Sequence, residues 1–154
     1  MHNFEDIVKR CYQKNSDEEI SNGSIKHAKI LADYLFRYAK EKNKDIKIVT
    51  GSLDGGFYNN FSDIVKEILT KNKVSIISEK PYEDSSFSQE IKKSANGTIK
   101  IISKDDKVTS LPHFILIGDC AYRLETDDRL KLATASFNRP SIGQFLSDIF
   151  DRFK

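Results

Sequence analysis

The sequence predicts an α/β fold in which a mixed β-sheet is flanked by helices. Three observations support this prediction. Strand-like and helix-like segments alternate from residue 46 to residue 102, three strand-like segments follow one another from residue 113 to residue 137, and amphipathic helical patterns lie near both ends of the chain. Alternating strands and helices are typical of parallel sheets, whereas consecutive strands usually pair in the antiparallel sense.

The composition is that of a globular domain with its own core. The chain has 154 residues, 38% of them hydrophobic, with 25 Lys and Arg against 23 Asp and Glu. A chain of this length buries about 70% of the surface that its unfolded form exposes, so its core requires neither disulfides nor a structural metal. The net charge of +2 is too small to predict, by itself, a surface for nucleic acid or for a membrane.

The cysteines and histidines are too few and too scattered to predict a zinc site. Cys11 and Cys120 form no C-x-x-C pair, and the three histidines are far apart in the sequence. No apolar run approaches the roughly 20 residues of a membrane helix, and Glu5 and Asp6 stand where a secretory signal carries basic residues. We therefore expect a reduced, cytoplasmic protein with no membrane partner.

The N-terminal third is predicted to form two helices. Residues 4–12 carry apolar side chains at helical spacing, and we expect residues 1–20 to form a helical extension that acts as a lid or a dimer element, with one domain over residues 21–154. The second helix begins after Ser24 as N-cap and ends near Asn43. Its apolar residues recur three and four apart: Ala28, Leu31, Ala32, Leu35 and Ala39.

The middle of the chain alternates between strands and helices. The predicted elements are, in order, a strand at 46–50, a helix at 61–71, a strand at 74–78, a helix ending at Asn96-Gly97 and a strand at 98–102. The loop Gly51–Gly56 follows the first of these strands. It has neither the order of a phosphate-binding loop nor the spacing of a dinucleotide-binding motif, so a plain flexible turn is the favoured interpretation.

The last third predicts three consecutive strands and a closing helix. The strands are expected at 113–117, 121–125 and 130–137, with a turn at 126–128. Pro140 marks the first turn of the final helix. Its predicted apolar face consists of Ile142, Phe145, Leu146, Ile149 and Phe153.

Four polar residues stand at the ends of these last strands, where sites in α/β sheets form: His113, Asp119, Ser136 and Asn138. A histidine before an apolar strand, an aspartate after it, then A-S-F-N and a closing helix resemble the C-terminal half of a phospholipase D-like domain. The signature of that family is H-x-K, a strand ending in D, and G-S-x-N. The resemblance covers about residues 24 to 154 with a degenerate motif, because Ile115 replaces the lysine and Ala135 the glycine.

The resemblance implies metal-independent phosphodiesterase or nuclease chemistry without a cofactor. His113 is then the nucleophile and Asp119 a second catalytic residue, while Ser136 and Asn138 bind the substrate, a nucleic acid or a nucleotide. In that family two domains each contribute a histidine, one attacking phosphorus and the other protonating the leaving oxygen, so the resemblance also implies a homodimer. By the same analogy the protein belongs to a nuclease or defence-related system.

The missing family lysine calls for a replacement cation. Arg123 and Glu125 are two residues apart in a strand and share a face, so Arg123 is a candidate phosphate clamp if that face borders His113, with Lys100 as a further candidate. We include Arg123, Glu125 and Lys100 among the expected substrate-binding residues. The alternative is an ordinary solvated ion pair between Arg123 and an acid.

Two other functions remain open from the sequence. The loss of the lysine favours a catalytically inactive interaction or ligand-sensing module of the same fold, in which His113, Arg123 and Asn138 hold an anion without chemistry. A Rossmann-like nucleotide binder would instead place its ligand at the loop Gly51–Gly56.

Overall fold

The computed structural model describes residues 3–81, 84–102, 111–127 and 132–154. In chain order the elements are α1 (Phe4–Lys14), β1 (Ile20–Asn22), α2 (Ile25–Lys42), β2 (Ile46–Thr50), α3 (Gly55–Tyr58), a 3₁₀ turn (Asn59–Phe61), α4 (Ser62–Ile68), β3 (Val74–Ser78), α5 (Ser86–Lys92), β4 (Gly97–Ile101), β5 (Phe114–Ile117), β6 (Ala121–Asp127), β7 (Leu132–Ser136) and α6 (Pro140–Phe153).

The strands of the described residues form one mixed sheet with the order β1-β7-β6-β5-β2-β3-β4. Strands β2, β3 and β4 are parallel, as expected for strands joined by helices. Strand β5 is antiparallel to β2 and to β6, and β7 is antiparallel to β6 and to β1. The predicted α/β fold with a mixed sheet flanked by helices is confirmed.

Helices cover the two faces of the sheet unequally. Helices α1, α2, α4 and α5 share the larger core with inward-facing residues such as Ile48 and Ile115, whereas α6 covers the opposite face above Leu116 and Tyr122. Each fully buried side chain of this size contributes about 1.5–3 kcal/mol. Alternate strand residues point to opposite faces. The position of a polar residue relative to Ile115 or Leu116 therefore shows whether its side chain lies on the α2 face or on the α6 face.

The N-terminal helix contributes to the main core, and its role as a lid or a dimer element stays a prediction. Val8 and Cys11 are fully buried, and α1 packs along α2. Strand β1, which was not predicted, follows it and pairs with β7, with Ile20 opposite Ala135. Three residues are too few for alternation to reveal a strand in the sequence.

Helix α6 packs on the sheet with fewer of its apolar residues than the sequence pattern predicts. Leu146 and Phe150 are buried, but Phe145 is 60% exposed. A Cβ atom at Gly143 would overlap the backbone carbonyl of Asp119. Glycine at this position therefore allows α6 to approach the turn between β5 and β6.

Some predicted features lie outside the described residues. Residues 128–131 include the end of the predicted turn and the start of the third predicted strand, and β7 is described from Leu132 onward. None of the helices in the described part of the chain combines the length and the apolar character that crossing a membrane requires.

Candidate functional site

A cleft of about 870 Å³ opens at one edge of the sheet, on the α2 face. Strands β2 and β3 end at this edge and β5 begins there, because β5 runs antiparallel to β2. The first turn of α2 and the segment from Thr50 to Asn59 form its other walls. Ligands of open α/β sheets bind at the carboxyl ends of the parallel strands, and this volume falls within the range of small-molecule sites.

His113 lines the cleft between two carboxylates. Its Nε2 lies 2.9 Å from Oε1 of Glu79, and its Nδ1 lies 3.6 Å from Oε2 of Glu125. Contact with Glu125, together with the hydrogen bond to Glu79, raises the pKa of His113 above its usual value although burial opposes the shift. The raised pKa shifts His113 towards its protonated form, in which Nε2 can donate to Glu79.

Arg123 joins the same cluster from β6. Its side chain is 5% exposed, and its Nη1 lies 3.2 Å from Oε1 of Glu125. Its Nε donates to Oδ1 of Asn22 at 3.3 Å. Asn22 lies on β1, which is separated from β6 by β7 alone, so the long arginine side chain reaches it. We call His113, Glu79, Arg123 and Glu125 the charged quartet, because each of these side chains pairs with another member.

The wall opposite the quartet is formed by the glycine-rich segment. A Cβ atom at Gly51 would lie 3.1 Å from Cε1 of His113, so a glycine here lets the imidazole rest against the end of β2. Asp54 accepts the N–H of Gly56 at 2.9 Å and starts α3. Burial raises the pKa of Tyr58 to about 12, so its phenol is neutral at physiological pH. Gly51–Gly56 therefore lines the cleft, and its last two residues belong to α3, so the segment is more than the plain turn predicted. Its flexibility stays a prediction.

The predicted cluster of His113 with Asp119, Ser136 and Asn138 is not formed. His113 and Asp119 flank β5 at opposite ends, and the four residues of that strand alone span about 13 Å at about 3.3 Å per residue. Ser136 pairs with Tyr122, which pairs with Leu116, so it lies three residues farther along the sheet than His113 and two strands away. The expectation that these residues share one site is wrong.

The direction of consecutive strands explains this error. Strand β5 leads away from the His113 edge, β6 returns to it, and β7 leads away again. The returning strand carries Arg123 and Glu125, whereas β7 carries Ser136 to the far edge. There the side-chain amide of Asn138 donates to the carbonyl of Asn15 at 3.4 Å, which joins the end of β7 to the end of α1.

Lys100 and Ile115 also lie away from the cleft. Lys100 pairs in register with Ile77, a residue of the α6 core, and its Nζ donates to the carbonyl of Phe153 at 2.9 Å. Ile115, at the position of the family lysine, is 3% exposed in the main core. Neither position supplies a cation to the cleft.

Two residues of the quartet environment were missed from the sequence. Glu79 directly follows β3, and its position at the end of a parallel strand was a usable signal. Asn22 lies in the unpredicted strand β1, and only the pairing of that strand reveals it. Among the described residues, no group of three or more His, Cys, Asp or Glu side chains is arranged so that it could hold a metal ion.

Two solved structures have a similar fold. No protein-family model matches the chain, and no curated protein matches it in sequence. NucT from Helicobacter pylori superposes with a TM-score of 0.62 over 88% of this chain and 94% of that one, at 10% identity. Polyphosphate kinase from Porphyromonas gingivalis gives a TM-score of 0.50 at 13% identity over 79% of this chain, which spans only 20% of that kinase. The chain therefore has a phospholipase D-like fold.

Proposed function

We propose that this chain binds a phosphodiester-containing ligand, a nucleotide or nucleic acid, in the cleft beside His113. The observation that supports the proposal most strongly is the position of His113 in the cleft, at the edge where β2 and β3 end. Its raised pKa favours the protonated form, which attracts an anion. The phospholipase D-like fold supports the ligand class, because that family acts on phosphodiesters. In this proposal His113 and Arg123 bind the ligand, with Glu125 holding both in place.

Binding is better supported than hydrolysis. A nucleophilic histidine needs an unprotonated nitrogen aimed at phosphorus, yet both nitrogens of His113 face carboxylates. The apolar Ile115 stands where the family has a lysine. Among the described residues that line the cleft, His113 is the one histidine, so a single copy offers no second imidazole to protonate a leaving oxygen.

Calorimetric titration with thymidylyl-thymidine, a minimal nucleic-acid diester, tests the proposal. We expect saturable binding that the His113→Gln variant weakens about tenfold or more, since hydrogen bonds to charged groups contribute about 1.5–3 kcal/mol. His27→Gln is the matched control, because His27 stacks on Phe4 and does not line the cleft. Equal affinities of the two variants, with both folded by circular dichroism, would contradict the role of His113.

Hydrolysis is the second candidate, and one contact favours it. Glu125 beside Nδ1 is placed to orient the ring, as a third group orients the base in other nucleophilic sites. Displacement of Glu79 by a substrate would leave Nε2 available. Attack would form an Nε2–phosphorus bond and break the bond to the leaving oxygen, which takes its proton from a second histidine supplied by another copy of the chain.

The Glu79→Ala variant separates the two candidates. With bis(p-nitrophenyl) phosphate, the hydrolytic candidate predicts release of nitrophenol and a phosphohistidine adduct, both abolished in a Glu79→Ala, His113→Gln double variant. The binding proposal predicts neither product. Light scattering on the same samples measures whether a dimer is present.

A further inference from the structure

We infer that the ligand is a small nucleotide whose phosphate contacts Lys29 and Lys80, and not a strand of nucleic acid. The inference rests on the proposed function and narrows its ligand class. Lys29 lies near the start of α2 and Lys80 just after β3, and both line the cleft. They approach it from different walls, as expected of groups that converge on one ligand.

The charges that remain uncommitted in the cleft are mostly positive. The side chains of the quartet pair with one another, and Asp84 pairs with Lys92 at 2.8 Å. Across residues 3–81, 84–102, 111–127 and 132–154, neither Lys29 nor Lys80 forms an ion pair or a side-chain hydrogen bond. Among the described residues that line the cleft, the two ammonium groups of Lys29 and Lys80 therefore outnumber the one unpaired carboxylate, that of Asp54, which favours an anionic ligand.

Lys29 and Lys80 can together neutralise one phosphate group, but two lysines are too few to bind the backbone of a nucleic-acid strand. A site for single-stranded nucleic acid tracks at least about four nucleotides with a continuous positive groove. Among the described residues that line the cleft, the carboxylates of Asp54, Asp84 and Glu125 share the lining with the lysines, so this lining is not continuously positive. A strand crossing this edge would place phosphates beside those acids.

The remaining polar groups suit a nucleotide more than inorganic phosphate. The carboxylate of Asp54 is exposed and accepts one N–H, that of Gly56, which leaves lone pairs for hydroxyl donors. Thr50 and Ser52 add hydroxyl groups on the same wall. A ribose carries the hydroxyl donors and a phosphate the charge, and the cleft of about 870 Å³ accommodates a ligand of that size.

Calorimetry with three probes tests this inference. The probes are 3′,5′-cyclic adenosine monophosphate, a nucleotide whose phosphate is a diester, inorganic phosphate, and single-stranded oligonucleotides of 5 and 20 residues over a salt series. We expect the nucleotide to bind with little dependence on salt and at least tenfold more tightly than phosphate. The 20-residue strand should bind no more tightly per site than the 5-residue strand. Lys29→Gln and Lys80→Gln should each weaken nucleotide binding at least fivefold, while the control Lys26→Gln, exposed on the same helix, should not.

The outcomes separate this inference from the proposed function. Affinity that rises with strand length and falls steeply with salt, as counterion release predicts, would overturn the small-nucleotide ligand and leave the proposed function standing. Unchanged nucleotide binding in both lysine variants would overturn the assignment of Lys29 and Lys80. Absence of binding by every probe would overturn the proposed function itself.

Discussion

Replacing Arg123 by Met tests whether the charged quartet is a buried, mutually dependent unit. Methionine keeps the apolar stem of the side chain and removes the guanidinium. The change deletes the 3.2 Å contact to Glu125 and the 3.3 Å hydrogen bond to Asn22. It also leaves the carboxylate of Glu125, 12% exposed, without its contact to the guanidinium.

The expected cost is large because the remaining charge stays buried. Removing one partner of a buried ion pair typically costs about 3–5 kcal/mol, a large part of the 5–15 kcal/mol that stabilises most domains. Adding Glu125→Gln to the Arg123→Met variant neutralises the remaining carboxylate. We therefore expect the double variant to be more stable than Arg123→Met alone.

Urea denaturation followed by circular dichroism measures these free energies of unfolding. The matched control is Arg37→Met, which removes an exposed arginine paired with Asp33 at 2.8 Å and should cost under about 1 kcal/mol. A cost for Arg123→Met no greater than that of the control, or strict additivity with Glu125→Gln, would refute the interpretation of a coupled buried cluster.

Three further predictions follow from single contacts. Contact with Glu125 and Glu79 raises the pKa of His113 in the folded state above its ordinary value of 6.5. The protonated side chain therefore stabilises the fold fully below pH 6.5, and this stabilisation is lost as pH rises through the folded-state pKa. The difference in unfolding free energy between wild type and His113→Gln should shrink from pH 6 to pH 9, and a constant difference would contradict this. Gly143→Ala should destabilise by at least about 2 kcal/mol through overlap with the carbonyl of Asp119, although alanine is the better helix former; an unchanged urea midpoint would contradict the close approach. Gly51→Ala should weaken diester binding several-fold by displacing the imidazole, with stability changed by less than about 1 kcal/mol; unaltered calorimetric affinity would contradict this.

Most of the scaffold could be predicted from local patterns. The apolar stripe of α2 and the alternation of strands and helices through β4 follow directly from side-chain periodicity. Pro140 and the apolar repeat after it indicate α6. These helices and strands are determined by residues close together in the chain, so they can be predicted from one sequence without knowledge of tertiary contacts.

The site depended on information that local patterns lack. Arg123 and Glu125 could be placed on one face because strand residues alternate, but their approach to His113 depends on the direction in which β6 returns. The alternating direction of β5, β6 and β7 also places Ser136 at the opposite edge of the sheet from His113. Glu79 reaches His113 across the sheet, 34 positions along the chain, and no periodicity links such residues.

The most direct test of the central claim is a two-dimensional nuclear magnetic resonance titration of the labelled protein with thymidylyl-thymidine. The account predicts shifts in the imidazole signals of His113 and in the amides of residues 50–59, at the cleft. It predicts unchanged signals at Asp119, Ser136 and Asn138, on the opposite edge of the sheet. Shifts concentrated at those three residues, with His113 unperturbed, would show that the ligand binds elsewhere.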